Sequence, residues 1–216
     1  MNDAARSNLR EAEYLALLCE LRDRAWPSEV PRELRYPCGE IPLSDYLRRW
    51  AKVQPDKTAI IFYGTELSYS ELDSLSDKVA RLLASLGIKH GDRVAVFMPN
   101  CPQFLIAFFG ILKLGAVLVP VNPLYMVHEF VHQINDSGAE VVIALDQNME
   151  IVRASSGQTK LREYLVTSFA EVLPAEPTLP LPPNVQKPRL PCADAIDLLP
   201  ALRAIPAQPP FPQKPG

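Results

Sequence analysis

The residues whose spacing best suits chemistry are His128, Glu129 and His132, in the run HEFVH. Two imidazoles four positions apart share one side of a helix, and a Glu between them can act as a general base. This is the H-E-x-x-H pattern of zinc hydrolases. Such a site needs a third protein ligand. No histidine follows His132, which excludes the extended three-histidine form, and a downstream carboxylate such as Glu150 has no supporting pattern. Val127, Phe130, Val131 and Ile134 form an apolar helix face that the two histidines border, so the plain reading is a polar pair on a helix flank. The expectation is that no metal is held here, with a zinc hydrolase kept as a third reading.

Phosphate-binding loops can be tested on glycine positions. No two of the nine glycines are separated by a single residue, so a G-x-G-x-x-G loop is impossible. Gly110 and Gly115 have P-loop spacing, but Ala116 and Val117 stand where Lys and Ser or Thr are required. The stretch Ser155 to Lys160 is phosphate-friendly in composition. It follows a helix and precedes a strand, however, so no helix N-terminus points at it. No Ser or Cys nucleophile sits in a recognisable strand-turn-helix setting beside a histidine. These residues therefore offer no catalytic centre of their own.

The elements that would position any site alternate between strand and helix. Leu43, Tyr46, Leu47 and Trp50 have helical spacing, stopped before Pro55. A strand over Thr58 to Tyr63 turns at Gly64. Ser68 and Glu71 form a capping box ahead of an apolar stripe through Leu72, Leu75, Val79, Leu82, Leu83 and Leu86, and Gly87 is placed to end that helix. Strands follow at Val94–Met98, Val117–Val121, Glu140–Leu145 and Tyr164–Thr167. Between them lie a helix opened by Pro102, a helix over Met126–Asp136 and a weaker one over Asn148–Ala154. Strands that are continuous apolar runs joined through helices predict an α/β fold, a mostly parallel sheet covered by helices on both faces. Ligands of such sheets sit at loops leaving the carboxyl ends of strands. Here those are Met98 to Pro102 and Val121 to Tyr125.

The chain divides into a peripheral helix and connection over 1–40, an α/β body over 41–173, and a proline-rich linker or tail over 174–216. The peripheral helix is expected from Asn8 to Arg24. The tail holds 13 of the 22 prolines and loses hydrophobic period except over Ile196–Ile205. Lys plus Arg number 22 against 25 Asp plus Glu, which offers no basic field for nucleic acid or anionic lipid beyond a local patch. Phe104 to Val121 carries only Lys113 as a charge, yet Gly110, Gly115 and Pro120 interrupt it, so it reads as a buried helix-turn-strand and not a membrane span. Cys19, Cys38, Cys101 and Cys192 form no CxxC pair, and no apolar leader opens the chain. The thiols are expected to be reduced and the protein cytoplasmic.

Four blocks between Leu67 and Ile143 resemble the acyl-adenylate-forming superfamily. LSYSEL (Leu67 to Leu72) is similar to its first core motif. KHGDRVAVFMPNCPQF (Lys89 to Phe104) is similar to its strand-to-helix stretch, and LKLGAVLVPVNPLY (Leu112 to Tyr125) to its second core motif. HEFVHQINDSGAEVVI (His128 to Ile143) completes the order. The chain is identified as resembling the N-terminal part of an AMP-forming acyl-CoA synthetase, most like bacterial long- or medium-chain fatty acyl-CoA ligases.

The resemblance implies that a carboxylate reacts with ATP to give an acyl-adenylate and pyrophosphate, with Mg²⁺ offsetting phosphate charge, before CoA takes the acyl group. It also implies that Asn122, Pro123, Leu124 and Tyr125 line the wall of the CoA tunnel. The family's Ser/Thr/Gly-rich phosphate loop ending Pro-Lys-Gly is expected after the proline-rich stretch, and Lys214-Pro215-Gly216 has the wrong order for it. Also absent from these residues are the ribose-binding aspartate, the hinge and the domain with the catalytic lysine. The expectation is therefore a fragment of a fatty acid–CoA ligase, inactive alone, with no ATP, Mg²⁺ or CoA bound by this chain alone. A non-catalytic module that pairs with another chain is the alternative. The apolar face of Phe104, Phe108, Ile111 and Leu112 is expected to promote self-association or pairing with the remainder.

Overall fold

Residues 11–33, 35–206, 208 and 211–212 are described by the computed structural model. The chain forms two compact units, Met1–Glu40 and Ile41–Gly216. In the first, helix α1 (Glu11–Ala25) has Glu11 and Glu13 in its first turn and Arg22 and Arg24 in its last, each favourable to the helix dipole. Residues 8–10 of the expected helix lie outside the described residues. Arg32 folds back to Asp23 at 2.6 Å, and the Trp26 indole donates to the Val30 carbonyl at 2.7 Å.

The second unit opens with α2 (Leu43–Val53) and a hairpin of β1 (Thr58–Phe62) and β2 (Thr65–Ser68). Ser68 then caps α3 (Tyr69–Ser85) in the expected capping box. Its hydroxyl accepts from the Glu71 amide, and its own amide donates to the Glu71 carboxylate at 2.8 Å.

The remaining strands are β3 (Arg93–Phe97), β4 (Val117–Pro120), β5 (Val141–Leu145), β6 (Glu163–Thr167) and β7 (Ile196–Asp197). They form one parallel sheet in the order β4-β3-β5-β6-β7. Helices α4 (Pro102–Leu114), α5 (Val127–Ser137), α6 (Met149–Ala154) and α7 (Leu198–Ala204) complete the unit.

Alternate strand residues feed two cores, as the continuous apolar runs require. Val94, Val96, Val141, Ile143 and Leu165 face α2, α3, α4 and α7, which bring Leu47, Val79, Leu83, Ile111 and Leu202. Ala95, Phe97, Val142, Ala144 and Val166 face α5 and α6, with Phe130, Ile134 and Val152. Helices α3 and α4 meet where Gly110 has no side chain. A Cβ there would stand 2.4 Å from the Val79 Cβ and 2.9 Å from the Ser76 carbonyl. One turn on, the fully buried Lys113 ammonium meets Asp73 at 2.6 Å and Asp77 at 3.0 Å. Gly115, at φ 76°, ends α4 after 13 residues and turns the chain into β4. Among the described residues no helix is long and apolar enough to cross a membrane.

Two expectations are corrected. Part of the proline-rich stretch is core: β7 pairs in parallel with β6, and Leu198 and Leu202 are fully buried. Even the irregular run before it is fixed, with Val185 and Cys192 buried in opposite cores. A chain already stiffened by proline loses little entropy on docking, so single anchors hold it without a visible hydrophobic period. The second correction concerns Ile111, which is fully buried against the sheet. Phe104, Phe108 and Leu112 are the half-buried members of that set.

Candidate functional site

Numbered from β3 as the first, the strands run 2-1-3-4-5, so the chain reverses direction between β3 and β5. In doubly wound sheets the ligand crevice opens at the carboxyl ends of the strands flanking that reversal. The loop Met98 to Pro102 leaves β3, Asp146 to Asn148 leaves β5, and Asn122 to Tyr125 follows β4.

The β4 loop is held by its own polar groups. The Asn122 side chain accepts from the Leu124 amide at 3.0 Å, and its carbonyl accepts from the Tyr125 amide at 3.0 Å. This Asx-type turn consumes the local hydrogen bonds and presents Leu124, 84% exposed, at the rim. Pro123 and Tyr125 are half-buried behind it. From β5, the Asn148 side chain donates to the Pro123 carbonyl at 3.1 Å, tying the two loops together.

In the β3 loop, Asn100 is exposed and Cys101 is the N-cap of α4. Burial pushes the Cys101 thiol up to about 11, partly opposed by the Gln103 and Phe104 amides. It stays protonated at neutral pH and is no nucleophile. Beside it lies an apolar cleft of 370 Å³, walled by Ile60, Phe62, Phe104 and Leu105 with Asn100 at its polar edge. The buried Gln103 amide donates to the Ser168 carbonyl at 2.8 Å, while its oxygen lacks a partner among the described residues.

The β5 and β6 exits are strapped by the chain itself. Asp146, nearly fully buried, accepts from the amides of Leu190 and Gln147, each at 2.8 Å. The Gln147 side chain donates to the Asn184 carbonyl at 2.7 Å. Glu171 accepts from the Thr167 hydroxyl at 2.8 Å and the Ser168 amide at 2.7 Å, and it pairs with Arg189, which also pairs with Asp197. Sequence reasoning missed Asp146 and Asn148. The available signal was a polar residue directly after the buried strand ending in Leu145. Their importance depends on strand order, which that signal does not contain.

His128 and His132 are not at this edge. Both are exposed on α5, where they line an open depression with Val131, Asn135 and Asp136. The Glu129 carboxylate accepts from the Met126 amide at 3.2 Å and so caps the helix start. Among the described residues no three His, Cys, Asp or Glu side chains gather as a metal site.

With this geometry in place, comparison with known proteins is specific. A family model described as "AMP-binding enzyme" matches residues 47–208. The chain belongs to the AMP-binding enzyme family. It is 37% identical over 149 residues to a long-chain-fatty-acid–CoA ligase of Bacillus subtilis (strain 168), a match covering 69% of this chain and 26% of the relative. The N-terminal domain of FACL13 from Mycobacterium tuberculosis superposes with a TM-score of 0.63 at 27% identity, over 82% of this chain and 39% of that one. An anthranilate CoA ligase, solved with anthranoyl-AMP, shares the fold with a TM-score of 0.67 at 21% identity, over 80% and 30% of the two chains. This AMP-binding family chain thus spans about a quarter of the length of the curated relatives it matches.

Proposed function

We propose that this chain serves as the N-terminal part of the adenylate-forming domain of a fatty acid–CoA ligase. Such an enzyme joins a fatty acid to CoA at the expense of ATP, through an acyl-adenylate, releasing AMP and pyrophosphate. The observation that carries the reading is family membership over residues 47–208, joined to an open carboxyl edge at the β3 and β4 exits.

On this reading Asn122 and Pro123 shape the turn, and Leu124 with Tyr125 gives an apolar wall against which the pantetheine arm of CoA passes. The residues present do not fit the ATP phosphates or Mg²⁺. Among the described residues no glycine-rich loop stands at the edge, and Asp146 and Glu171 are already engaged by backbone amides. Electrostatic stabilisation of the adenylation step needs preorganised donors and cations, which other residues of such an enzyme must supply. The 216 residues alone are therefore inactive. The flank of Phe104, Phe108 and Leu112, with edge strand β4 beside it, is where the remainder of the enzyme packs, or a second copy in its absence.

ATP–pyrophosphate exchange with the isolated chain, Mg²⁺ and fatty acids of several lengths tests the inactivity. Exchange no higher than a protein-free control is expected, and exchange clearly above it contradicts the assignment of ATP binding to other residues.

A further inference from the structure

Away from the carboxyl edge, a groove of 740 Å³ lies between α2 and α3, with Pro206 and Gln208 also in its lining. Its charges are sorted. The acids on its floor, Asp73 and Asp77, are taken by the buried Lys113 ammonium and by Arg48, which reaches Asp77 at 3.0 Å. Two carboxylates against two cations leave the floor balanced. The same Arg48 nitrogen also donates to the Phe211 carbonyl at 2.7 Å, and Arg81 lies over the Phe211 ring at 5.6 Å.

What remains on the walls is positive: Arg49 and Lys52 from α2 and Lys78 from α3. None of these three has an ion-pair partner among the described residues. The Arg48–Asp77 bridge sets their relative placement, since Arg49 follows Arg48 and Lys78 follows Asp77 in sequence. The Ser74 hydroxyl, one helical turn before Lys78, lines the same wall as a further donor. Val53 and Ala51 supply apolar, low-dielectric surface, which strengthens the field of cations in a concave site. The chain as a whole carries a net charge of −3, so this groove runs against the overall sign.

We propose that the α2–α3 groove is a binding site for a phosphate-bearing anion, held by Arg49, Lys52 and Lys78 with Ser74. Three cations and a hydroxyl around a concavity match the charge and several acceptor oxygens of a phosphate group. The acids that would repel such a ligand are already neutralised by Lys113 and Arg48. The same chemistry arises from free phosphate or from an anionic lipid headgroup.

The test titrates the 216-residue chain with inorganic phosphate by calorimetry and, separately, measures its co-sedimentation with phosphatidylglycerol against phosphatidylcholine vesicles. Saturable phosphate binding identifies a free phosphate ligand, and phosphatidylglycerol-dependent sedimentation identifies a headgroup. Either must weaken at least tenfold in an Arg49→Gln/Lys52→Gln/Lys78→Gln variant. These side chains make no structural ion pair, so the unfolding midpoint should stay unchanged. A charge-matched Lys89→Gln/Lys160→Gln/Lys187→Gln variant should bind as the parent does. The proposal is overturned if neither probe binds, if the groove variant binds undiminished, or if both variants lose binding alike.

Discussion

The two halves of the sheet's carboxyl edge use the same kinds of residue differently. At the β5 and β6 exits, Asp146, Gln147 and Glu171 are spent on the chain's own return segment, which reaches back through Asn184, Arg189 and Leu190. At the β3 and β4 exits, Asn122 satisfies only its own turn, and Leu124 and Asn100 face outward. Polar groups at strand ends must find partners. Where the return segment supplies them the edge is covered, and where the β4 turn satisfies itself Leu124 and Asn100 stay exposed.

The contrast should be largest for side chains beyond the strap. Leu202, fully buried on α7, should lose about 3 kcal/mol on Leu202→Ala. Leu124→Ala at the open rim should stay within about 0.5 kcal/mol. Urea unfolding of both decides it, and equal losses would erase the distinction.

Cys101, beneath the open β3 loop, tests how dry that half is below its rim. Its thiol pKa is raised from 9.0 to about 11, so stability is fully present below the unfolded value and is lost as pH rises through the folded one. A rise of that size corresponds to roughly 3 kcal/mol lost between those pH values. Unfolding measured against Cys101→Ala, which lacks the group, should show that difference in slope. Parallel curves would mean water reaches the thiol.

Asp146→Ala removes the acceptor for two amides and should cost about 2 kcal/mol. Hydrogen exchange should rise at the Leu190 amide and stay unchanged at the Tyr125 amide. A rise at both would show that the halves are coupled through Asn148.

Much of this is legible in the sequence. The Ser68–Glu71 box, Pro102 and Gly115 act locally, so the ends of α3 and α4 follow from neighbours in sequence. The Asn122 to Tyr125 loop was readable as a strand exit. Asp146 and the return through β7 were not. The acid matters because β5 lies beside β3 across the point where the chain reverses, and pairing order between distant strands leaves no periodic trace. The β7–α7 return is short and anchored by Leu198 and Leu202, too few residues to show a period amid prolines. The adjacency of Arg49, Lys52 and Lys78 likewise depends on the Arg48–Asp77 bridge between separate helices.

On the function proposed above, this chain does the work of the corresponding part of a fatty acid–CoA ligase, with the β3–β4 edge as its working half. The direct test replaces the matching segment of the Bacillus subtilis long-chain-fatty-acid–CoA ligase with residues 41–205 of this chain and measures acyl-CoA formation from a fatty acid, ATP and CoA. The chimera should form the thioester and, on Leu124→Asp, need a higher CoA concentration for half-maximal rate while keeping its unfolding midpoint. A folded chimera that makes no acyl-CoA at any chain length, or one indifferent to Leu124→Asp, would contradict it.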